Sequence, residues 1–183
     1  MTDFDLIITN ARVVRPELDR TDTGVDIGIT SGKVAALEVG LSADAGNAEV
    51  VDAGGVFAFP GSVDAHTHMG IYQPLPEDAV TESRAAAVGG STTVLNYMRT
   101  GQYYLNQGGP YEAFFPEVLD QIEGRSHVDY AFHLAPMQSS HIDEMPLLIE
   151  RFGVTSFKIF MFYGGYGLHG ASSSQHEFLM VDK

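Results

Sequence analysis

From residue 56 onward the chain alternates apolar runs with stretches whose apolar positions recur every three or four residues. The apolar runs Val56–Ala65, Ser91–Met98, Ser126–Ala135 and Thr155–Tyr163 predict strands. The intervening segments Ala79–Gly90, Tyr111–Gly124 and Ser140–Gly153 have helical spacing, and each stops at a glycine. Pro116 and Pro146 fit these helices only in a first turn or at a kink. Before residue 56 the pattern changes to short strands: "DLIITNARVV", then "VDIGITSGKVAALE" folded back at Ser31-Gly32, then "AEVVDAGG".

The predicted strands of the second part recur every ~30 to 35 residues, the length a βαβ unit needs. A closed (β/α)₈ barrel uses roughly 31 residues per unit, so residues 57–183 hold about four units. The pattern therefore predicts an α/β fold: the N-terminal part of a (β/α)₈ TIM barrel, residues 57–183, after a small β-sandwich segment, residues 1–56. A doubly wound open sheet has the same periodicity and is the alternative. Half a barrel leaves strand edges unpaired, so the expectation is a fragment, or one piece of an assembly.

Composition narrows the function. The formal charge of −14, from 24 acidic against 10 basic residues, opposes nucleic acid and anionic membrane surfaces as partners. There is no cysteine, which excludes disulfides and thiolate metal sites. The start "MTDFDLIITN" lacks a basic segment followed by an apolar one, and no run approaches the ~20 apolar residues of a membrane span. The expected location is cytoplasmic.

Two features carry chemistry. In "FPGSVDAHTHMG", strand alternation puts Asp64, His66 and His68 on one side, where two imidazoles can grip one ion. The motif ends the first predicted barrel strand, the place where such barrels collect their functional residues. The second feature is Lys158 in "SFKIFMFY", an amino group inside the most apolar run of the chain. Buried ammonium groups are costly, so Lys158 either snorkels to water or carries a nitrogen that is not an ammonium.

The Pro60-Gly61-x-x-Asp64-x-His66-x-His68 stretch resembles the signature of the amidohydrolase superfamily, in its cyclic-amidase branch of dihydropyrimidinases, hydantoinases, allantoinases and dihydroorotases. "DIGITSGKVAAL" and "AAAVGGSTTVLNY" are similar to that branch's β-sandwich strand pair and second barrel strand. The resemblance implies the N-terminal portion of a dihydropyrimidinase-like or D-hydantoinase-like hydrolase, in which a hydroxide bridging two divalent metal ions, zinc first, opens a cyclic amide. It implies metal ligation by His66, His68 and Lys158, the lysine carrying a carbamate derived from carbon dioxide. It gives Tyr163 the role of an oxyanion donor, Asp64 that of orienting an imidazole, and the complete protein a homo-oligomeric state. An allantoinase, a dihydroorotase and a non-catalytic scaffold of the same fold are the alternatives. Gly70 stands where dihydroorotases carry an arginine and allantoinases an asparagine. The later ligands and general base have no counterpart here, so the 183-residue chain by itself is expected to be inactive.

Other motifs rank lower. Gly165-x-Gly167-x-x-Gly170 matches a dinucleotide-binding pattern without a well-placed acidic partner, and a loop at the barrel mouth is preferred. His133 ends the third predicted strand and is expected to be structural. His127, His141, His169 and His176 show no ligand spacing.

Overall fold

The computed structural model describes residues 3–100 and 108–159, and contacts divide the chain into two units, Met1–Pro60 and Gly61–Lys183. The first unit is a five-stranded sheet. β1 (Leu6–Arg15) and β2 (Arg20–Thr30) are antiparallel, and β3 (Lys33–Glu38) folds back on β2. Ser31 and Gly32 both have positive φ, 51° and 72°, the pair of left-handed residues that a two-residue hairpin turn demands. β4 (Glu49–Asp52) and β5 (Phe57–Ala58) run parallel to β1. Ala11, Val13 and Ile27 are the buried centre of one face. Among the described residues this segment forms a single mixed sheet.

The run Val56–Ala65, expected as one buried strand, is two. Phe57–Ala58 pairs with β1 in the first sheet, while β6 (Ser62–Thr67) opens the second. Pro60 offers no N–H to a ladder, and Gly61 lies so close to β6's neighbour that a Cβ would come within 2.2 Å of the Thr92 side chain. The division therefore falls after Pro60 rather than at residue 56.

The second unit is a four-stranded parallel sheet in the order β6, β7 (Ser91–Met98), β8 (Asp129–Leu134), β9 (Ser156–Phe157). Each strand adds beside its predecessor, without the reversal of a doubly wound sheet. Helix α1 (Leu75–Val88) links β6 to β7 and packs on β7 and on α2 (Tyr111–Ile122). The third connection is α3 (Ser139–Asp143) and α4 (Met145–Phe152), not the single helix expected over 140–153. Pro146 explains the break, since it lies in the first turn of α4, where its missing N–H costs nothing. Pro116 instead sits inside α2.

The core lies between sheet and helices. Val94 and Met98 of β7 and Phe132 and Leu134 of β8 meet Phe114, Phe115, Val118 and Ile122 of α2. Helix burial is amphipathic: in α2 the buried positions Tyr111, Phe114, Phe115, Val118 and Ile122 follow the helical repeat. Among the described residues no helix is long and apolar enough to cross a membrane.

Candidate metal centre

Strand alternation decides what faces away from the helices. In β8, Phe132 and Leu134 are buried in the core, so His133 between them points to the opposite face. Cross-strand register aligns Tyr97, His133 and Ser156 in one row over β7, β8 and β9. At the C-terminal ends of these parallel strands, His66, His68 and Lys158 meet this row.

His66 Nε2 lies 3.0 Å from His68 Nε2 and 2.9 Å from Lys158 Nζ. The two imidazoles meet edge to face, with ring centroids 4.9 Å apart. Tyr97 is the floor: its ring centroid is 5.9 Å from that of His66, 4.9 Å from that of His68, and 4.2 Å from Lys158 Nζ. The lysine is half-buried, and its amino group lies against His66 and the Tyr97 ring face.

Electrostatics favour lone pairs here. Burial lowers the pKa of His66, reinforced by the Lys158 and His133 charges and opposed by Asp64. Burial, then Lys158, then His66 lower that of His68. Burial also lowers the pKa of Lys158 from the ordinary lysine value, which enriches the neutral amine.

The donors fit a metal. Two imidazole nitrogens bound to one tetrahedral ion at zinc distances stand about 3.3 Å apart, close to the separation of these two Nε2 atoms. The single lone pair of His66 Nε2 cannot satisfy both a histidine and a lysine donor well, whereas a cation draws lone pairs from several donors at once. Among the described residues no group of three or more His, Cys, Asp and Glu side chains converges to hold an ion. The further nitrogen beside His66 and His68 among the described residues is Lys158 Nζ. An ammonium has no lone pair, so Lys158 fits only as the free amine or a derivative of it.

The loop carrying His68 is pinned from below. Asn96, fully buried on β7, accepts the Met69 N–H at 2.6 Å and donates to the Met69 carbonyl at 3.2 Å. Its Oδ1 also accepts from the Thr67 hydroxyl at 3.4 Å. The next residue, Gly70, gives its N–H to buried Asp78 of α1 at 2.8 Å. Gly70 has φ of 81°, and a Cβ there would lie 3.0 Å from that of Leu75, so both conformation and space ask for glycine.

Of the residues singled out in the sequence, His66, His68 and Lys158 come together. Asp64 sits nearby, but its carboxylate accepts the backbone N–H of His66 at 3.1 Å and so orients the main chain, not the ring. Tyr163 and the Gly165–Gly170 motif lie outside the described residues, as do His169 and His176. His127 is at the opposite, N-terminal side of β8, and His141, on α3, is buried against Tyr111 of α2. Sequence reasoning missed Asn96, Tyr97 and Ser156. For Asn96 a signal existed: an amide inside "TVLNYM" must find partners if that strand is buried.

The chain is 35% identical over 143 residues to the D-hydantoinase of Geobacillus stearothermophilus, a match covering 75% of this chain and 29% of the relative. It is 38% identical over 151 residues to the D-hydantoinase of Streptomyces coelicolor, covering 76% and 30%. This chain shares the family of the D-hydantoinases and dihydropyrimidinases. Among solved structures, dihydropyrimidinase from Brevibacillus agri superposes with a TM-score of 0.70 at 28% identity, over 88% of this chain and 34% of that one. No family model matches the chain. The chain spans about a third of the length of the curated relatives it matches.

Proposed function

We propose that this chain carries part of the metal centre of a cyclic amide hydrolase acting on hydantoin-like or dihydropyrimidine-like rings, and that its parallel sheet is an arc of a (β/α)₈ barrel. The observation that carries the reading is the convergence of His66 Nε2 with His68 Nε2 and Lys158 Nζ, at 3.0 and 2.9 Å, at the C-terminal ends of the strands. The names of the relatives supply the substrate class.

In this reading His66 and His68 hold one of two divalent ions, zinc being the first choice for imidazole and carboxylate-type donors. Bound there, such ions polarise a ring carbonyl and make water a nucleophile near neutral pH. Lys158 would contribute as a carbamate, formed when its neutral amine adds to carbon dioxide and loses a proton from nitrogen, which would turn a cationic side chain into an anionic oxygen donor. Burial of the amino group supports this, because only the uncharged amine reacts. The Tyr97 ring walls the site beneath the imidazoles and the lysine. Asp64 and Asn96 hold the backbone at His66 and Met69. Tyr163 is assigned the oxyanion contact on the family resemblance.

The test is metal content with ring opening. The chain is expected to bind zinc or cobalt, to lose binding on joint substitution of His66 and His68 by Ala, and to lose bicarbonate-dependent loading in Lys158→Ala. Ring opening of hydantoin or dihydrouracil is expected of a protein of the relatives' length and not of these 183 residues by themselves, which span about a third of those relatives. Metal binding unchanged in both variants overturns the assignment. Turnover by the 183-residue chain alone would show that its site is sufficient as it stands.

A further inference from the structure

His133 shares the face of the proposed centre, and its ring centroid is 5.4 Å from that of His66. Yet neither of its nitrogens is directed to that centre. Nε2 is 2.5 Å from the carbonyl oxygen of Ala65, and Nδ1 hydrogen-bonds the hydroxyl of Ser156. A carbonyl only accepts, so Nε2 carries the proton. In the neutral ring Nδ1 is then the acceptor for Ser156 Oγ–H. With both nitrogens engaged, His133 has no lone pair left for an ion.

What these two bonds join is informative. Ala65 immediately precedes His66 on β6, and Ser156 stands two positions before Lys158 on β9. β6 and β9 are not neighbours; β7 and β8 lie between them. The β6–β7 ladder also slips between Asp64 and Thr67, so the register leaves Ala65 and His66 without counterparts on β7. The backbone alone fixes His66 poorly against Lys158. The His133 ring closes that gap across the face of the sheet.

We infer that His133 is a positioning residue that sets the spacing of His66 relative to Lys158 by tying Ala65 to Ser156. The inference rests on the metal centre proposed above and adds a residue to which no role had been given. Ligand geometry must hold within a fraction of an ångström for tight binding, and losing a partner that orients a ligand typically costs about 10- to 100-fold in affinity. His133 acts on the main chain of one ligand strand and on a side chain of the other, so its removal loosens both.

Two amides divide the tie. In His133→Gln the side-chain nitrogen reaches the place of Nε2 and keeps the bond to Ala65. In His133→Asn the oxygen takes the place of Nδ1 and keeps the bond to Ser156. Cobalt(II) titration of the 183-residue chain, followed by visible absorption, reads both affinity and ligand geometry. His133→Leu is expected to weaken binding about tenfold or more with altered bands. Ser156→Ala should weaken it less, and His133→Gln should recover most of the loss. Leu148→Ala, a cavity in the core remote from the site, should lower the melting temperature without moving the bands. Wild-type affinity and spectrum in both His133→Leu and Ser156→Ala overturn the inference, and Ser156→Ala decides alone if His133→Leu does not fold. If the wild-type chain binds no cobalt, the metal reading falls and the tie is judged by long-range ¹H–¹⁵N NMR of the imidazoles. There a protonated Nε2 on His133, with His66 signals that shift in Ser156→Ala, supports it. A proton on Nδ1, or unmoved His66 signals, overturns it.

Discussion

Asn96 is a single amide on which the backbone at Met69, one residue beyond His68, depends for both its N–H and its carbonyl. Replacing it by Leu fills similar space but leaves the buried Met69 N–H unpaired, at a cost of about 1–3 kcal/mol. Asn96→Asp keeps an acceptor for that N–H but sets a carboxylate oxygen against the Met69 carbonyl, so it should also lose stability. Urea unfolding of the two variants checks this; wild-type midpoints in both would show that the clamp contributes nothing. The contrast with His66, His68 and Lys158 shows which residues sequence can reveal. Those three stand out because their chemistry is rare in an apolar strand. Asn96 and Ser156 act through partners distant in sequence, Met69 and His133, which become visible only once the strands are in register. Asp64 was legible as a neighbour of the pair, but the slip in the ladder between Asp64 and Thr67 is not encoded in simple alternation, and the carboxylate meets a backbone N–H instead of a ring.

The helices on the sheet are joined by a device of the same kind. Glu144, between α3 and α4, accepts the N–H groups of Tyr111 and Glu112, each at 3.0 Å, and so caps the start of α2 from another element. Beside it His141 accepts the Met137 N–H at Nδ1 and donates from Nε2 to the Gly109 carbonyl, both at 3.0 Å, with its ring 4.5 Å from that of Tyr111. Burial lowers the His141 pKa, against the opposing pull of the Gly109 carbonyl and the Glu144 charge. A histidine whose folded pKa lies below its unfolded value of about 6.5 stabilises the fold above that value and loses the contribution as pH falls through the window beneath it. The urea midpoint of the wild type should therefore drop between about pH 7 and about pH 5. His141→Asn keeps an acceptor for Met137 and cannot titrate, so its midpoint should drop less, while the carboxylates common to both proteins cancel. Equal drops would mean that His141 is not the titrating group. At this scale the sequence showed which segments are helical and where the strands begin, because periodicity and glycine stops are local. It did not show that residues 140–153 split at Glu144, or that Phe57–Ala58 leaves the run it belongs to and joins β1. Both outcomes depend on a proline and on what lies across from it.

For the molecule as a whole, the strand spacing made the parallel order of β6 to β9 legible, and the single sheet of the first unit was not, since short alternating strands suit one layer or two. Charge is the other whole-molecule property, and it has a consequence for stability. With a formal charge of −14, compaction brings like charges together, and this repulsion is long-ranged. The ion pairs found among the described residues, Arg15 with Glu17 and Asp22, Arg20 with Asp22, and Arg151 with Glu112, involve exposed or partly exposed side chains and return little. Salt acts oppositely on these two contributions. Raising ionic strength from about 0.01 M to about 0.15 M shortens the screening length from about 30 Å to about 8 Å, which removes most of the repulsion between distant carboxylates but only weakens contacts of a few ångströms. The melting temperature should therefore rise over this range in sodium chloride, with most of the gain at the low end. Tetramethylammonium chloride should give the same rise, because it screens equally and does not coordinate carboxylates or imidazoles. A melting temperature that falls with added salt would show that the local pairs outweigh the net repulsion, and a rise confined to sodium chloride would point to ion binding in place of screening.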